Sequence, residues 1–418
     1  MQKKGLKFTK DYIGDETKKY GDLKMKPKPN LIPRFNLDYD FNDFIYGIKS
    51  IFSSDDFDLG SLELIFGKRT FLFTNYGRSS LYVILRALNL PKGSKVGVPL
   101  YSCTVVFDAI VNAGHIPCFI EIDDNYTVDP EDLKDKIEDL EAVVIIHTLG
   151  RPADMDEINK IAGDMPVIED CAHSLMSKYK GRITGTLGSV SFFSLAKYIS
   201  AGNGGMIILN NNLTNRFEME IKNLKKPSGL NEIKHSLTVY ARSFLYHKPW
   251  FGLFALPIGL SIEDKLDIMN KRGFKVAGIG RNDLGVMFKK LESFEKKVKL
   301  QRKNSFFLIE ELKDSSVILP YEKRDTYCNY YFFPIRFEDK EERDSASDLL
   351  RDKGIDTSKL YSETPLKAKQ YYGYKGDCPN TENLVDTILV IPNYYTLSQY
   401  ELSKIVDNLK ECIKEHTS

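Results

Sequence analysis

The sequence predicts an α/β fold: a large domain with a mainly parallel sheet flanked by helices, followed by a smaller C-terminal α+β domain. Three observations carry this expectation. Between about residues 65 and 210, apolar runs alternate with helix-like stretches, the pattern of strand–helix–strand units. The runs are rich in Val, Ile and Phe without polar alternation, as in strands covered on both faces. The chain has 418 residues, more than one core needs at about 150 residues per domain.

Residues 1–50 read as an N-terminal arm. The first thirty contain nine lysines and no continuous apolar run, so they do not resemble an export signal. Pro27, Pro29 and Pro33 then favour extended backbone over a helix. The large domain is expected over 51–283. Its strands are expected at Val96–Leu100, Cys118–Ile122, Ala142–Leu149, Pro166–Asp170, Ser189–Ser194 and Gly205–Leu209. Helices are expected at Ser79–Leu90, Val105–Ala113, Pro130–Asp139 and Asp154–Ala162. In such a sheet the ligand site lies beyond the carboxyl ends of the strands.

An apolar insertion near 236–265 interrupts this pattern. Its run Pro249–Ile262 is shorter than the roughly 20 residues a membrane span needs, and Pro and Gly break it further. Arg242, His247 and Lys248 precede it, which leaves two readings: contact with a membrane surface, or a buried loop or subunit contact. The second is the more ordinary. The small domain is expected over 284–418. It opens with a long amphipathic helix over about 284–313, followed by a strand at Asn329–Phe337 and helices at Glu341–Lys353 and Leu397–Ile413.

Composition narrows the function. Lys and Arg total 59 against 58 Asp and Glu, a net charge of +1, and no clustered basic face is evident beyond the N-terminal arm, so a nucleic-acid-binding role has little support. The six cysteines form no CxxC pair, which argues against a disulfide framework or a structural zinc site and for a reducing, cytoplasmic setting. No metal site is expected.

Three segments converge on one chemistry. In PVIEDCAHS, Asp170 ends an apolar strand at the ligand-binding rim. In SFFSLAKYISAGNGG, Lys197 follows another strand, a suitable position for a Schiff-base nucleophile. In TNYGRSSLYVIL, Gly77 permits a tight turn and Ser79–Ser80 open a helix whose free N–H groups can hold a phosphate. A lysine, a carboxylate and a phosphate cradle are what pyridoxal 5'-phosphate requires. Singly, each has a bland reading: Asp170 as a loop cap, Lys197 as an exposed lysine, Gly77 as an ordinary turn.

The motifs GRSSL, VPLYSCTVVFDAIVNAG, HTLGRPADMDEI, VIEDCAHS, KGRITGTLGSVSFFSLAK and AGNGGMIILN follow one another in an order that resembles the DegT-type sugar aminotransferases. These are fold type I pyridoxal-phosphate enzymes of the aspartate aminotransferase superfamily. The resemblance is dense over about 74–210 and looser through GIGRNDLGVMFKKLESF, YYFFPIRF with GIDTSKLY, and IPNYYTLSQYE. It implies that Lys197 carries the cofactor, Asp170 pairs with the pyridine nitrogen and His173 contacts the 3-oxygen. Ser194 in S-x-x-K would bind phosphate, with Ser191 as the alternative. Arg78 and Ser79 stand where the family has a small Thr–Ala pair at the phosphate. Cys103 stands where the family commonly stacks an aromatic ring on the cofactor, and Tyr101 is the candidate to take that role.

Arg281 is the residue expected to reach a neighbouring subunit's site in a homodimer, and Tyr361 to line the sugar pocket. Cys103 and Cys171 read as packed thiols. The function implied is amino transfer, with glutamate the usual donor, to a keto-sugar, most naturally a nucleotide-linked keto-deoxysugar. Two rivals stand beside it. A sugar dehydratase on the same scaffold is disfavoured by the presence of Lys197, which such relatives replace with histidine. A non-catalytic binding or regulatory protein is disfavoured by the intact set Lys197, Asp170, His173 and Ser194.

Overall fold

The structure, a computed structural model, describes residues 27–210, 214–258 and 275–417. The lysine-rich start of the arm (1–26) and the end of the apolar run (259–262) lie outside the described residues.

The large sheet has seven strands: β1 (Thr70–Thr74), β2 (Lys95–Pro99), β3 (Ile116–Ile120), β4 (Ala142–Ile146), β5 (Val167–Asp170), β8 (Val190–Ser194) and β9 (Gly205–Leu209), in the order β1-β9-β8-β5-β4-β2-β3. β8, β5, β4, β2 and β3 pair in parallel, and β9 runs antiparallel to both β8 and β1. Every residue of β4 and β9 is buried, which accounts for their unbroken apolar sequences. Between β5 and β8 the short strands β6 (Lys178–Tyr179) and β7 (Arg182–Ile183) form a hairpin, which Thr326–Tyr327 joins as β10.

Local chemistry sets the helix boundaries. α3 (Gly77–Leu88) and α4 (Thr104–Asn112) pack Leu81, Ile84, Phe107 and Ile110 into one cluster with Val98, Ile168 and Phe192 of the sheet. The Asp129 carboxylate caps α5 (Pro130–Lys136), with Pro130 in the first turn. Asp154 caps α6 (Met155–Ala162), which buries Met155, Ile158 and Ala162 at helical spacing.

Three expectations are corrected. The strand expected at Ala142–Leu149 stops at Ile146, because Thr148–Gly150 forms a 3-10 turn with Leu149 at φ +59°. The strand expected at Asn329–Phe337 is only β11 (Phe333–Arg336), paired with β12 (Ile388–Ile391). Asn329 is used instead as a brace: its side-chain amide donates to the carbonyls of His173 and Leu175, and Tyr330 takes a left-handed φ of +52°. The arm is extended only to Asp40, whose capping box with Asp43 starts α1 (Phe41–Phe52); α2 (Gly60–Phe66) follows.

The long helix Arg281–Leu312 links the sheet region to a second apolar cluster, in which Leu308 and Leu312 pack with Phe333, Ile335, Leu350, Leu389 and Leu409. Ile32 of the arm belongs to this cluster, and Arg34 clamps the buried Asp356 in a two-pronged ion pair at 2.6 and 3.0 Å. α7 (Thr214–Lys222) and α8 (Gly229–Leu245) lead into the insertion, which continues as a π-helical turn, Phe251–Ala255. Phe251 and Leu256 pack on Leu31, so part of the apolar run anchors the arm, whereas Phe254 and Ile258 are exposed. Among the described residues, no helix is long and apolar enough to cross a membrane.

Candidate functional site

The carboxyl ends of five strands open on one side of the sheet, and a cleft of about 180 Å³ lies there. Tyr76, Gly77 and Arg78 follow β1; Ser102 and Cys103 follow β2; Ile146 ends β4; Asp170 ends β5; Ser194 ends β8, and Lys197 stands three residues beyond. His173, Ala172 and Tyr361 also line it, beside the apolar Leu81, Val105, Val106 and Phe192.

Strand alternation separates the two acids of the ED pair. Glu169 faces away from the cleft, fully buried. One of its oxygens accepts from the amides of Leu187 and Gly188, and the other from the Gly185 amide and His147 Nε2. The His147 tautomer follows, because Nδ1 accepts from the Ala153 amide and the proton therefore sits on Nε2. Glu169, His147 and Cys171 stand close enough to hold a metal ion, yet the carboxylate is already saturated by these four donors. Asp170 faces the cleft instead. One of its oxygens accepts from the Ala172 amide at 2.9 Å. Burial pushes its carboxyl above the ordinary carboxylate range, against the opposing pull of Lys197 and that amide.

Lys197 is half-buried on a tight turn after β8, and its Nζ lies 2.9 Å from His173 Nε2. His173 Nδ1 accepts from the Leu149 amide, which leaves Nε2 as the ring nitrogen that faces Lys197 Nζ. Burial, then the Lys197 charge, hold His173 well below its usual pKa, keeping the ring neutral. Phe332 meets it edge-on at 5.1 Å and Tyr331 packs at 5.4 Å. Neither aromatic was anticipated, since only the fold brings the loop before β11 to this place.

At the other end of the cleft α3 begins. Tyr76 offers no side-chain cap, while the amides of Ser79 and Ser80 turn back to its carbonyl. Gly77 is not the tight turn expected of it: it is the first helical residue, and a Cβ there would sit 3.2 Å from Ser194 Cβ, so its smallness lets the helix start approach β8. Ser102, also unanticipated, is 1% exposed and its hydroxyl has no partner among the described residues.

Four expected residues lie outside this cleft. The Ser191 side chain points to the opposite sheet face from Phe192 and Ser194, where it donates to the Gly185 carbonyl at 2.8 Å. Ser79 is buried behind the helix start, its hydroxyl near the Lys275 carbonyl. Tyr101 is fully buried behind Tyr361, meeting it edge-on at 5.2 Å, so Tyr361 and not Tyr101 presents a ring to the cleft. Arg281 donates to the carbonyls of Ser50 and Asp55 and covers the Phe57 ring, in a separate surface hollow. Cys103 lines the cleft, and Cys171 is buried, its thiol pushed well up by that burial.

These groups suit pyridoxal phosphate. An amine nucleophile, a carboxylate with one oxygen uncommitted, and an uncapped helix start with an unpartnered hydroxyl share one cleft.

Comparison with known proteins agrees. The profile of the DegT/DnrJ/EryC1/StrS aminotransferase family matches residues 61–236 and 284–410. A GDP-perosamine synthase of Escherichia coli O157:H7 is 25% identical over 344 residues, 80% of this chain and 83% of that protein. A dTDP-3-amino-3,6-dideoxy-alpha-D-galactopyranose transaminase of Aneurinibacillus thermoaerophilus is 25% identical over 339 residues, 79% of this chain and 82% of that protein. The crystal structure of the aminotransferase TlmJ from Streptoalloteichus hindustanus superposes with a TM-score of 0.70, over 94% of this chain and all of that one, at 18% identity.

Proposed function

Since the chain belongs to the DegT/DnrJ/EryC1/StrS aminotransferase family, whose members are pyridoxal-phosphate-dependent sugar aminotransferases, we propose that it moves an amino group from glutamate to a nucleotide-linked keto-deoxysugar, with Lys197 as its Schiff-base lysine. The observation that carries this reading is the convergence of Lys197, Asp170 and His173 in one cleft. When bound, the cofactor supplies an electron sink for the carbon that loses or gains the amino group.

The chain's residues supply the rest. The Asp170 carboxylate, desolvated at the end of β5, would hold the cofactor's ring nitrogen in its protonated form, which is what the sink requires. His173 Nε2 orients the lysine amine and would contact the cofactor's ring oxygen when the cofactor is bound. Lys197, once its amine is free, would take the proton from the donor's α-carbon and deliver it within the same half-reaction, and would run the reverse proton shift when the acceptor is aminated. Ser194 and the start of α3 hold the phosphate end. Tyr361, held in the left-handed region at φ +63°, lines the mouth on the acceptor side.

Both relatives named above act, by their names, on nucleotide-linked sugars, which supports that class of acceptor. Single-turnover exchange with GDP-, dTDP- and UDP-linked keto-sugars tests it; turnover with free keto-sugars alone would refute the nucleotide handle. A homodimer is part of the same reading, supported by the exposed Phe52 and Leu64 on helices packed against Arg281–Leu312. Sedimentation at the monomer mass would remove it. Surface contact with a membrane through 249–262 rests on the exposed Phe254 and Ile258, and the absence of flotation with anionic vesicles would remove it.

A further inference from the structure

We propose that Arg78 is the counter-charge for the cofactor's phosphate, supplied by the same subunit that supplies Lys197. This rests on the reading of the cleft given above and deepens it.

Arg78 is the second residue of α3, and no acidic residue shares that first turn. A helix start carries about half a positive charge, so a guanidinium there is repelled unless an anion sits between them. No anionic side chain among the described residues pairs with it. Among the described residues Arg78 makes no ion pair and no side-chain hydrogen bond; its guanidinium lies over the Tyr76 ring, 4.4 Å from the centroid. That contact keeps the cation on the cleft wall with its N–H donors unspent.

The independent observation is Ser102. It lines the same cleft, it is 1% exposed, and its hydroxyl has no partner among the described residues. A buried hydroxyl left unpaired costs stability, so a site of this kind calls for a ligand that can bond to it. Ser194 adds a second hydroxyl on the same wall. A guanidinium fork, two hydroxyls and an uncapped helix start form a set rich in donors. A phosphate monoester, acceptor-only and close to dianionic, matches that set.

The charge balance agrees. Arg78 and Lys197 line the cleft against the single carboxylate Asp170. Arg281, the other basic candidate, is committed to the Ser50 and Asp55 carbonyls outside it. Arg78 is thus the one guanidinium lining the cleft among the described residues.

The test uses full-length protein stripped of cofactor, as wild type, Arg78→Met and Arg78→Lys. Each is titrated with pyridoxal phosphate and with pyridoxal, which lacks the phosphate, and binding is read from the visible absorbance band. Arg78→Met should weaken pyridoxal phosphate by about 10- to 100-fold, the worth of a charge-assisted contact, and leave pyridoxal unchanged. Arg78→Lys should fall between. Inorganic phosphate should raise the melting temperature of the stripped wild type and not that of Arg78→Met.

Equal binding of both aldehydes by wild type and Arg78→Met would overturn the proposal, as would an equal loss of both. So would a variant that binds pyridoxal phosphate normally yet loses affinity for a nucleoside diphosphate, which would give the guanidinium to the substrate. Unchanged pyridoxal binding certifies that Arg78→Met is folded. Failure of the underlying reading is distinct: the wild type would then show no band that depends on Lys197.

Discussion

Replacing Glu169 by Gln tests how the two neighbouring acids divide their work. Glu169 takes four hydrogen bonds, from the amides of Gly185, Leu187 and Gly188 and from His147 Nε2, at 2.7–2.9 Å. Glutamine keeps one oxygen for two of these donors and turns its NH₂ toward the other two. Two buried N–H groups then face another donor, at about 1–3 kcal/mol each, and the charge that strengthened all four bonds is gone. The sum is a loss of about 2–6 kcal/mol. Urea unfolding followed by circular dichroism measures it. The folded fraction should still form the Lys197-dependent cofactor band, because Glu169 faces away from the cleft. Asp170→Asn should do the reverse, keeping the fold and lowering kcat by about 100-fold or more. A Glu169→Gln protein within about 1 kcal/mol of wild type, or one that folds normally and loses the band, would refute this division.

Other outcomes follow from the same geometry. Ser194→Ala should weaken pyridoxal phosphate several-fold, whereas Ser191→Ala should leave it unchanged and cost about 1 kcal/mol at most, since Asn210 still bonds the Gly185 carbonyl; cofactor titration and urea midpoints separate the two. Gly77→Ala should weaken the cofactor several-fold, because the added methyl lands 3.2 Å from Ser194 Cβ and must displace it; cofactor titration reads the effect. Burial raises the Asp170 pKa, so between its ordinary and raised values the folded protein holds a proton that the unfolded chain has released. That group's contribution to stability therefore falls as pH rises through this window. Cofactor-free Asp170→Asn should melt above wild type at pH 7.5, with the gap closing as the pH falls toward 4; an equal gap at both would count against a desolvated carboxylate.

Much of the candidate site's layout was legible in the sequence because its residues follow the ends of buried strands. A run such as AVVII is apolar throughout only when both faces are covered, so the residues just after such runs fall at the sheet's carboxyl rim. Asp170, Ser194 and Lys197 meet for that reason. Counting by twos would also have separated Ser194 from Ser191, since residues three apart on a strand face opposite sides.

Other features depend on contacts between distant segments. Asn329 lies in an apolar stretch that reads as strand, yet its amide braces the His173 and Leu175 carbonyls 154 or more residues away. Tyr101 has the composition of a stacking ring, but Tyr361 fills the space between it and the cleft. Arg281 lies just after a glycine as expected, and its partners Ser50 and Asp55 come from around the end of α1, a helix concealed within what reads as an arm.

The central claim, that Lys197 carries pyridoxal phosphate and passes an amino group through it, is tested most directly by the visible spectrum of the purified protein with the cofactor, before and after glutamate, beside Lys197→Ala. The account predicts a band above 400 nm that needs Lys197 and is bleached by glutamate. A wild-type spectrum indistinguishable from that of Lys197→Ala would contradict it.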